Sequence, residues 1–215
     1  IYRFDPGVVA CDLHPGYFTT ALAEELGAAG LRKIMVQHHH AHIASVMEEH
    51  NLREKVIGIA FDGTGYGTDG HLWGAEFLVA DRRSFDRRAH FAYFPLPGGE
   101  SAIRDVWKIG VALLYGLYGK EYPLMRRDDE TAMACELIEK NINCPATCSI
   151  GRLFDGVAAI LGLTETVSAE AEAAMLLEEA ALRGVKGRRD DGWAIPLSGT
   201  ERVVIPTQSI VEHIV

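Results

Sequence analysis

At 215 residues, with 48% hydrophobic and 24% charged residues, the chain can bury a substantial core as one large domain or two small ones. A formal charge of −9 argues against broad capture of a nucleic-acid backbone or an anionic membrane, but leaves room for one phosphorylated ligand in a local pocket. No apolar run approaches bilayer length and no signal peptide opens the chain, so a cytoplasmic protein is expected, with neither nucleic acid nor membrane as partner.

Ile1 in place of Met, and a pattern that stops at Val215, point to a piece of a longer protein. The four cysteines, Cys11, Cys135, Cys144 and Cys148, have no CxxC spacing and read as reduced thiols.

In chain order, GVVAC at 7–11 predicts a short strand, and Tyr17 to Ala29 an amphipathic helix closed by Gly30. KIMVQ at 33–37 predicts a second strand. A helix from about His39 to His50 follows, with Ile43, Val46 and Met47 on its apolar face. This alternation is an α/β pattern. VIGIAF at 56–61 predicts a buried strand running into a glycine-rich turn, DGTGYGTDG. LWGAEFLVA at 72–80 and AHFAYFPL at 89–96 complete an expected antiparallel meander.

Beyond Ser101 helices are predicted at 103–118, 129–141, 151–163 and 168–182. A charged loop is expected at 184–192, then short strands or irregular structure to Val215. The expected division is an α/β subdomain over 1–97 and a mainly helical one over 98–215.

Four histidines fall between 38 and 42. His38 and His42 are four apart and so share one helical face, a spacing at which two imidazoles can hold one divalent ion. His39 and His40 point elsewhere, toward supporting or substrate contacts. Two imidazoles need a carboxylate beside them, and Asp62, at the end of the next strand, is the candidate. The plainer alternative is a polar helix start that happens to contain histidines.

Gly63, Thr64 and Gly65 sit in a turn that can bring backbone N–H groups close to phosphate oxygens. An ordinary long hairpin is the competing reading. Glu100 and Arg104 open a helix after Pro97-Gly98-Gly99, where an anion would be favoured, or where the helix is simply capped. Gly151 begins another helix, and Asp155 one turn on either accepts ribose hydroxyls or is a solvated helix residue. Glu100, Arg104, Gly151 and Asp155 join the substrate- or nucleotide-binding candidates. His14, on the loop DLHPG, could face the same cleft or be merely exposed.

DLHPGY at 12–17, VQHHHAH at 36–42, FDGTGYG at 61–67, LWGAEF at 72–77, LPGGESAIRDVWK at 96–108 and GRLFDGVAAILGL at 151–163 together resemble the HypF-type carbamoyltransferases of hydrogenase maturation. The resemblance implies an actin-like, ribonuclease-H-type α/β fold with a helical insertion. It implies a divalent metal, zinc or iron, on His38, His42 and Asp62, and a carbamoyl-adenylate contacted by Gly63, Thr64, Gly65 and Asp155. ATP and carbamoyl phosphate would be the small-molecule substrates. The carbamoyl group would pass to the C-terminal cysteine of a HypE-type acceptor and become a cyanide ligand of nickel–iron hydrogenase.

Where the family usually reads REPWR this chain has Arg104-Asp-Val-Trp-Lys108, and where it usually reads SYEGEAA a glycine is replaced by Ala171. A second actin-like half with a further Asp ligand is absent, as are the family's N-terminal domains, so the chain alone is not expected to run the full reaction. O-Carbamoylation of a small molecule, and a non-catalytic metal-binding module, are the alternative functions.

Overall fold

The computed structural model describes residues 5–119, 128–184 and 201–215. Strand β1 (Val8–Asp12), helix α1 (Phe18–Ala28) and strand β2 (Arg32–Val36) form one unit in which β1 and β2 are parallel, Asp12 opposite Val36. Parallel strands need such a crossover helix, and their C-terminal ends then lie side by side. Helix α2 (His38–Glu49) starts at that edge, with Gln37 as N-cap accepting from the His40 N–H at 2.8 Å.

Strands β3 (Val56–Tyr66), β4 (Leu72–Ala80) and β5 (Phe85–Phe91) form the antiparallel meander that three strands with short connections predict. Only the second half of the glycine-rich segment forms the turn. Its first half, 62–66, lies within β3, and the hairpin turns at 67–71. Pairing runs from Val56↔Ala80 to Phe61↔Ala75 and resumes at Gly65↔Trp73, four steps on β3 against two on β4. Two extra residues are therefore accommodated around Asp62, Gly63 and Thr64, in a bulge that re-aims side chains. Asp62 thus lies inside its strand.

The third strand starts four residues earlier than its pattern predicts, and Phe94–Pro95 forms a separate short strand, β6. The helix expected at 103–118 is broken into α3 (Ser101–Arg104) and α4 (Trp107–Tyr118). Asp105 leaves helical geometry there, while the Arg104 carbonyl accepts from the Val167 N–H and the Trp107 N–H donates to the Glu165 carbonyl. A neighbouring segment therefore takes the groups a continuous helix would pair. Helix α5 (Asp129–Lys140) and short strand β7 (Ala146–Thr147) lead to α6 (Ile150–Ile160).

Helix α7 (Glu172–Gly184) starts later than predicted. The Glu172 carboxylate accepts from the Ser168 N–H and hydroxyl and the Ala169 N–H, which holds 168–171 as a lead-in. Most of the expected charged loop lies outside the described residues. Among the described residues of the last segment, 201–215, an expected short strand, β8 (Val203–Ile205), is followed by a helix, α8 (Thr207–Ile214), that the pattern does not predict. β7 pairs with β4 and β6, and β8 pairs with β5, so segments beyond residue 98 complete the meander's sheet.

Two cores position the site. Ile43 and Met47 of α2 pack on Ala60, Leu78 and Ala80. Ile109 and Leu113 of α4 pack with Leu153 and Val157 of α6 beneath Phe94, Leu96 and Val211. Among the described residues no helix is long and apolar enough to cross a membrane.

Candidate metal centre and adjoining cleft

The three residues singled out as metal ligands meet. The Nε2 of His38 lies 2.9 Å, and that of His42 3.8 Å, from Asp62 Oδ2. The two imidazole Nε2 atoms are 3.1 Å apart, and one ligand atom from each residue falls within 4.8 Å of the others. His42 is largely exposed, so the cluster opens outward.

The donor chemistry fits a divalent ion. Asp62 Oδ2 is buried and accepts no hydrogen bond, although three imidazole Nε2 atoms lie within 3.9 Å. His38 and His42 can share one hydrogen bond through Nε2, but neither serves Asp62 Oδ2, and a cation at the shared point would supply the partner that this oxygen lacks. The other Asp62 oxygen is held by the Gly63 N–H at 2.6 Å, which fixes the carboxylate's rotation.

His39 and His40 support the centre. His40 donates from Nε2 to the Asp81 carbonyl at 2.7 Å and ties α2 to the sheet. His39 is fully buried, its Nδ1 3.2 Å from Gln37 Nε2 and its Nε2 3.9 Å from Asp62 Oδ2. Burial pushes its pKa down to about 4, against the pull of Glu76 and Asp62, so the ring is neutral near pH 7.

The bulge is also where α6 lands. The Ser149 hydroxyl donates to the Asp62 carbonyl at 2.6 Å and, as N-cap, accepts from the Arg152 N–H. A β carbon on Gly151 would stand 2.9 Å from Gly63 Cα, so the helix start presses directly on the strand.

Beside this junction is a cleft of about 610 Å³ lined by Tyr17, Asp62, Gly63, Thr64, Glu100, Arg104, Arg152, Asp155 and Ser168 to Ala171. Of the predicted substrate-binding residues, Gly63, Thr64, Glu100, Arg104 and Asp155 line it. Gly65 instead lies under His38 and His39, and Gly151 is packed behind the wall. Asp155 is buried and not the solvated helix residue of the alternative reading. Burial pushes its pKa up to about 6, opposed by Arg152, whose Nη1 is 2.8 Å away. That pair is not in hydrogen-bonding alignment, because Asp155 Oδ2 accepts no hydrogen bond.

Sequence reasoning passed over Arg152, Asp12 and Tyr17. Arg152 is buried in the cleft wall with Nε unpaired. Its neighbours in GRLFD were the available signal, since a buried guanidinium one turn before an acid seeks an anion. Asp12 places Oδ2 2.8 Å from His38 Nδ1. Tyr17 stacks on His14 at 4.1 Å, and His14 packs edge-on against Tyr66, so the loop histidine supports the rim.

Comparison with known proteins gives one consistent result. Residues 58–215 match the family model described as "Carbamoyltransferase, Kae1-like Domain, second subdomain", and residues 1–49 match "HypF Kae1-like domain". Carbamoyltransferase HypF2 of Cupriavidus necator is 43% identical over 181 residues, covering 83% of this chain and 22% of that protein. Carbamoyltransferase HypF of Synechocystis is 38% identical over 198 residues, covering 83% of this chain and 25% of that protein. A crystal structure of full-length HypF in the phosphate- and nucleotide-bound form superposes with a TM-score of 0.88 at 43% identity, over 98% of this chain and 27% of that one. The chain thus spans about a quarter of the length of these relatives.

Proposed function

The chain belongs to the HypF carbamoyltransferase family, and from that premise we propose that it forms the metal-binding and carbamoyl-adenylate-binding wall of an ATP-dependent carbamoyltransferase. The acceptor in this reading is the C-terminal cysteine of a HypE-type protein, and the product serves cyanide-ligand synthesis for nickel–iron hydrogenase.

One observation carries the reading. Among the described residues seven buried side-chain polar atoms have no hydrogen-bond partner, and five of them surround this centre and cleft: His39 Nε2, Asp62 Oδ2, Thr64 Oγ1, Arg152 Nε and Asp155 Oδ2. Buried polar groups are normally paired, because each unpaired one costs roughly 1–3 kcal/mol. A cluster of them around one cavity supports a polar, charged ligand that completes them.

Each residue has a distinct part. His38, His42 and Asp62 would hold the metal. Lewis-acid polarisation of a carbamoyl or phosphate oxygen is the chemistry a divalent ion, zinc or iron, supplies when bound there. Thr64 offers a hydroxyl and the bulged strand its backbone N–H groups to phosphate oxygens. Arg152 brings a buried positive charge to the same anion, with Arg104 and Glu100 at the rim. Asp155 accepts ribose hydroxyls, a role its burial against Arg152 suits.

The test uses the full-length protein that carries this segment, with carbamoyl phosphate, ATP and a HypE-type acceptor. ATP-dependent carbamoylation of the acceptor is expected, and its loss on His38→Ala. Undiminished transfer by the variant removes the metal assignment, and no transfer by the unmodified protein removes the activity.

A further inference from the structure

The metal ligands are fixed from one side by the sheet and from the other by a carboxylate outside the ligand set. Asp12 ends β1, and parallel pairing sets it opposite Val36, two residues before His38. Its Oδ2 lies 2.8 Å from His38 Nδ1, and its Oδ1 accepts from the His14 N–H at 2.8 Å. The Thr20 hydroxyl donates to the His14 carbonyl at 2.8 Å, pinning that loop to α1. Both carboxylate oxygens are therefore committed before any ligand arrives, and the side chain is only 16% exposed.

The far side of the same imidazole faces Asp62 Oδ2 at 2.9 Å. A neutral imidazole has one N–H. If that proton sits on Nε2, it occupies the side turned toward His42 Nε2, 3.1 Å away, and no lone pair is presented there. If it sits on Nδ1, bonded to Asp12, Nε2 presents a lone pair toward the point shared with His42 and Asp62.

We propose that Asp12 is a positioning residue for this centre, holding His38 in the Nδ1–H tautomer so that Nε2 is kept open for a divalent cation. The proposal rests on the metal reading given above. Carboxylate partners of this kind orient histidine ligands and raise their basicity, and losing one weakens metal binding by roughly 10–100-fold.

The experiment has two parts, on the full-length protein that carries this chain and on its variants Asp12→Ala, Asp12→Asn and His38→Ala. Imidazole ¹⁵N chemical shifts of the metal-free proteins read the tautomer: Nδ1–H at His38 in the unmodified protein, Nε2–H in Asp12→Ala. Zinc titration calorimetry reads affinity: a fall of roughly 10–100-fold for Asp12→Ala, and an intermediate value for Asp12→Asn, which keeps an acceptor without the charge. Amide spectra check that each variant is folded. If Asp12→Ala does not fold, Asp12→Asn carries both readouts.

An unchanged tautomer, or zinc binding equal to that of the unmodified protein, overturns the proposal. Zinc binding that is absent from the unmodified full-length protein, or survives His38→Ala intact there, overturns the metal reading instead. The tautomer then decides the part played by Asp12 alone.

Discussion

Gly65 of β3 lies directly beneath His39 of α2: a β carbon at Gly65 would stand 2.5 Å from His39 Cε1, with His38 Cδ2 at 2.9 Å. The two elements that carry the candidate metal ligands approach this closely because the strand has no side chain there. Gly65→Ala should therefore displace both imidazoles. Overpacking of this kind typically costs about 1–3 kcal/mol, read as a lower urea midpoint, with a parallel loss of zinc affinity. Unchanged stability and affinity would show that the contact does not set the histidine positions.

The meeting of His38 and His42 was legible because it depends on helical spacing alone: the two share a face wherever α2 lies. Asp62 was reachable from strand order, although it sits in a bulge and not at a strand end. The glycines around it have turn-like composition, but here they serve the close approach of α2 and α6, a tertiary fact. Asp12 was not legible, since its meeting with His38 comes from the parallel register of β1 and β2. Arg152 lay within a motif already singled out, but which side of α6 faces the cleft is decided by where Ser149 docks on Asp62.

Two buried groups next to the centre should act on stability with opposite pH signs. The Asp155 pKa is raised to about 6, so between the ordinary 3.8 and that value the folded state holds more proton than the unfolded one. Its contribution is present at low pH and lost as pH rises through 6. The His39 pKa is lowered to about 4, so its contribution is present above the ordinary 6.5 and lost as pH falls toward 4. Each shift corresponds to about 3 kcal/mol at most, and the two largely offset. With metal removed by chelator, urea unfolding between about pH 4 and 7 should show Asp155→Asn gaining stability relative to the unmodified chain as pH rises. His39→Gln should gain as pH falls. Slopes of the same sign in both variants would contradict the assignment.

A buried ion pair underlies the sheet beside the site. Arg87 donates to Glu76 through Nε at 2.5 Å and Nη2 at 2.9 Å, with Glu76 fully buried and Arg87 4% exposed. Arg87 also lies 3.8 Å over the Trp73 ring, and it and Tyr93 both donate to Asp69 in the hairpin turn. Removing one member strands the other charge, so Arg87→Leu or Glu76→Leu should each cost about 3–5 kcal/mol. The double replacement should cost much less than their sum. A double-mutant cycle by urea denaturation measures this, and additive losses would mean the pair is not coupled.

Ala171 is held at φ 59°, in the left-handed region, on the wall of the cleft and just before α7. A side chain in that region costs about 1–2 kcal/mol because Cβ crowds the following carbonyl. Glycine avoids that clash but gives up roughly 0.5–1 kcal/mol of backbone entropy on folding. Strain exceeds entropy, so Ala171→Gly should stabilise the chain by about 0.5–1 kcal/mol, a rise in Tm of roughly 1–4 °C for a protein of this size. Ala171→Val should destabilise it by more, since a β-branched residue is strongly disfavoured there. Because 168–171 forms part of the cleft wall, any change in nucleotide affinity should follow the same order. A Tm lowered by Ala171→Gly would mean that Ala171 is retained for its packing, with the left-handed turn imposed by the Glu172 carboxylate that caps Ser168 and Ala169.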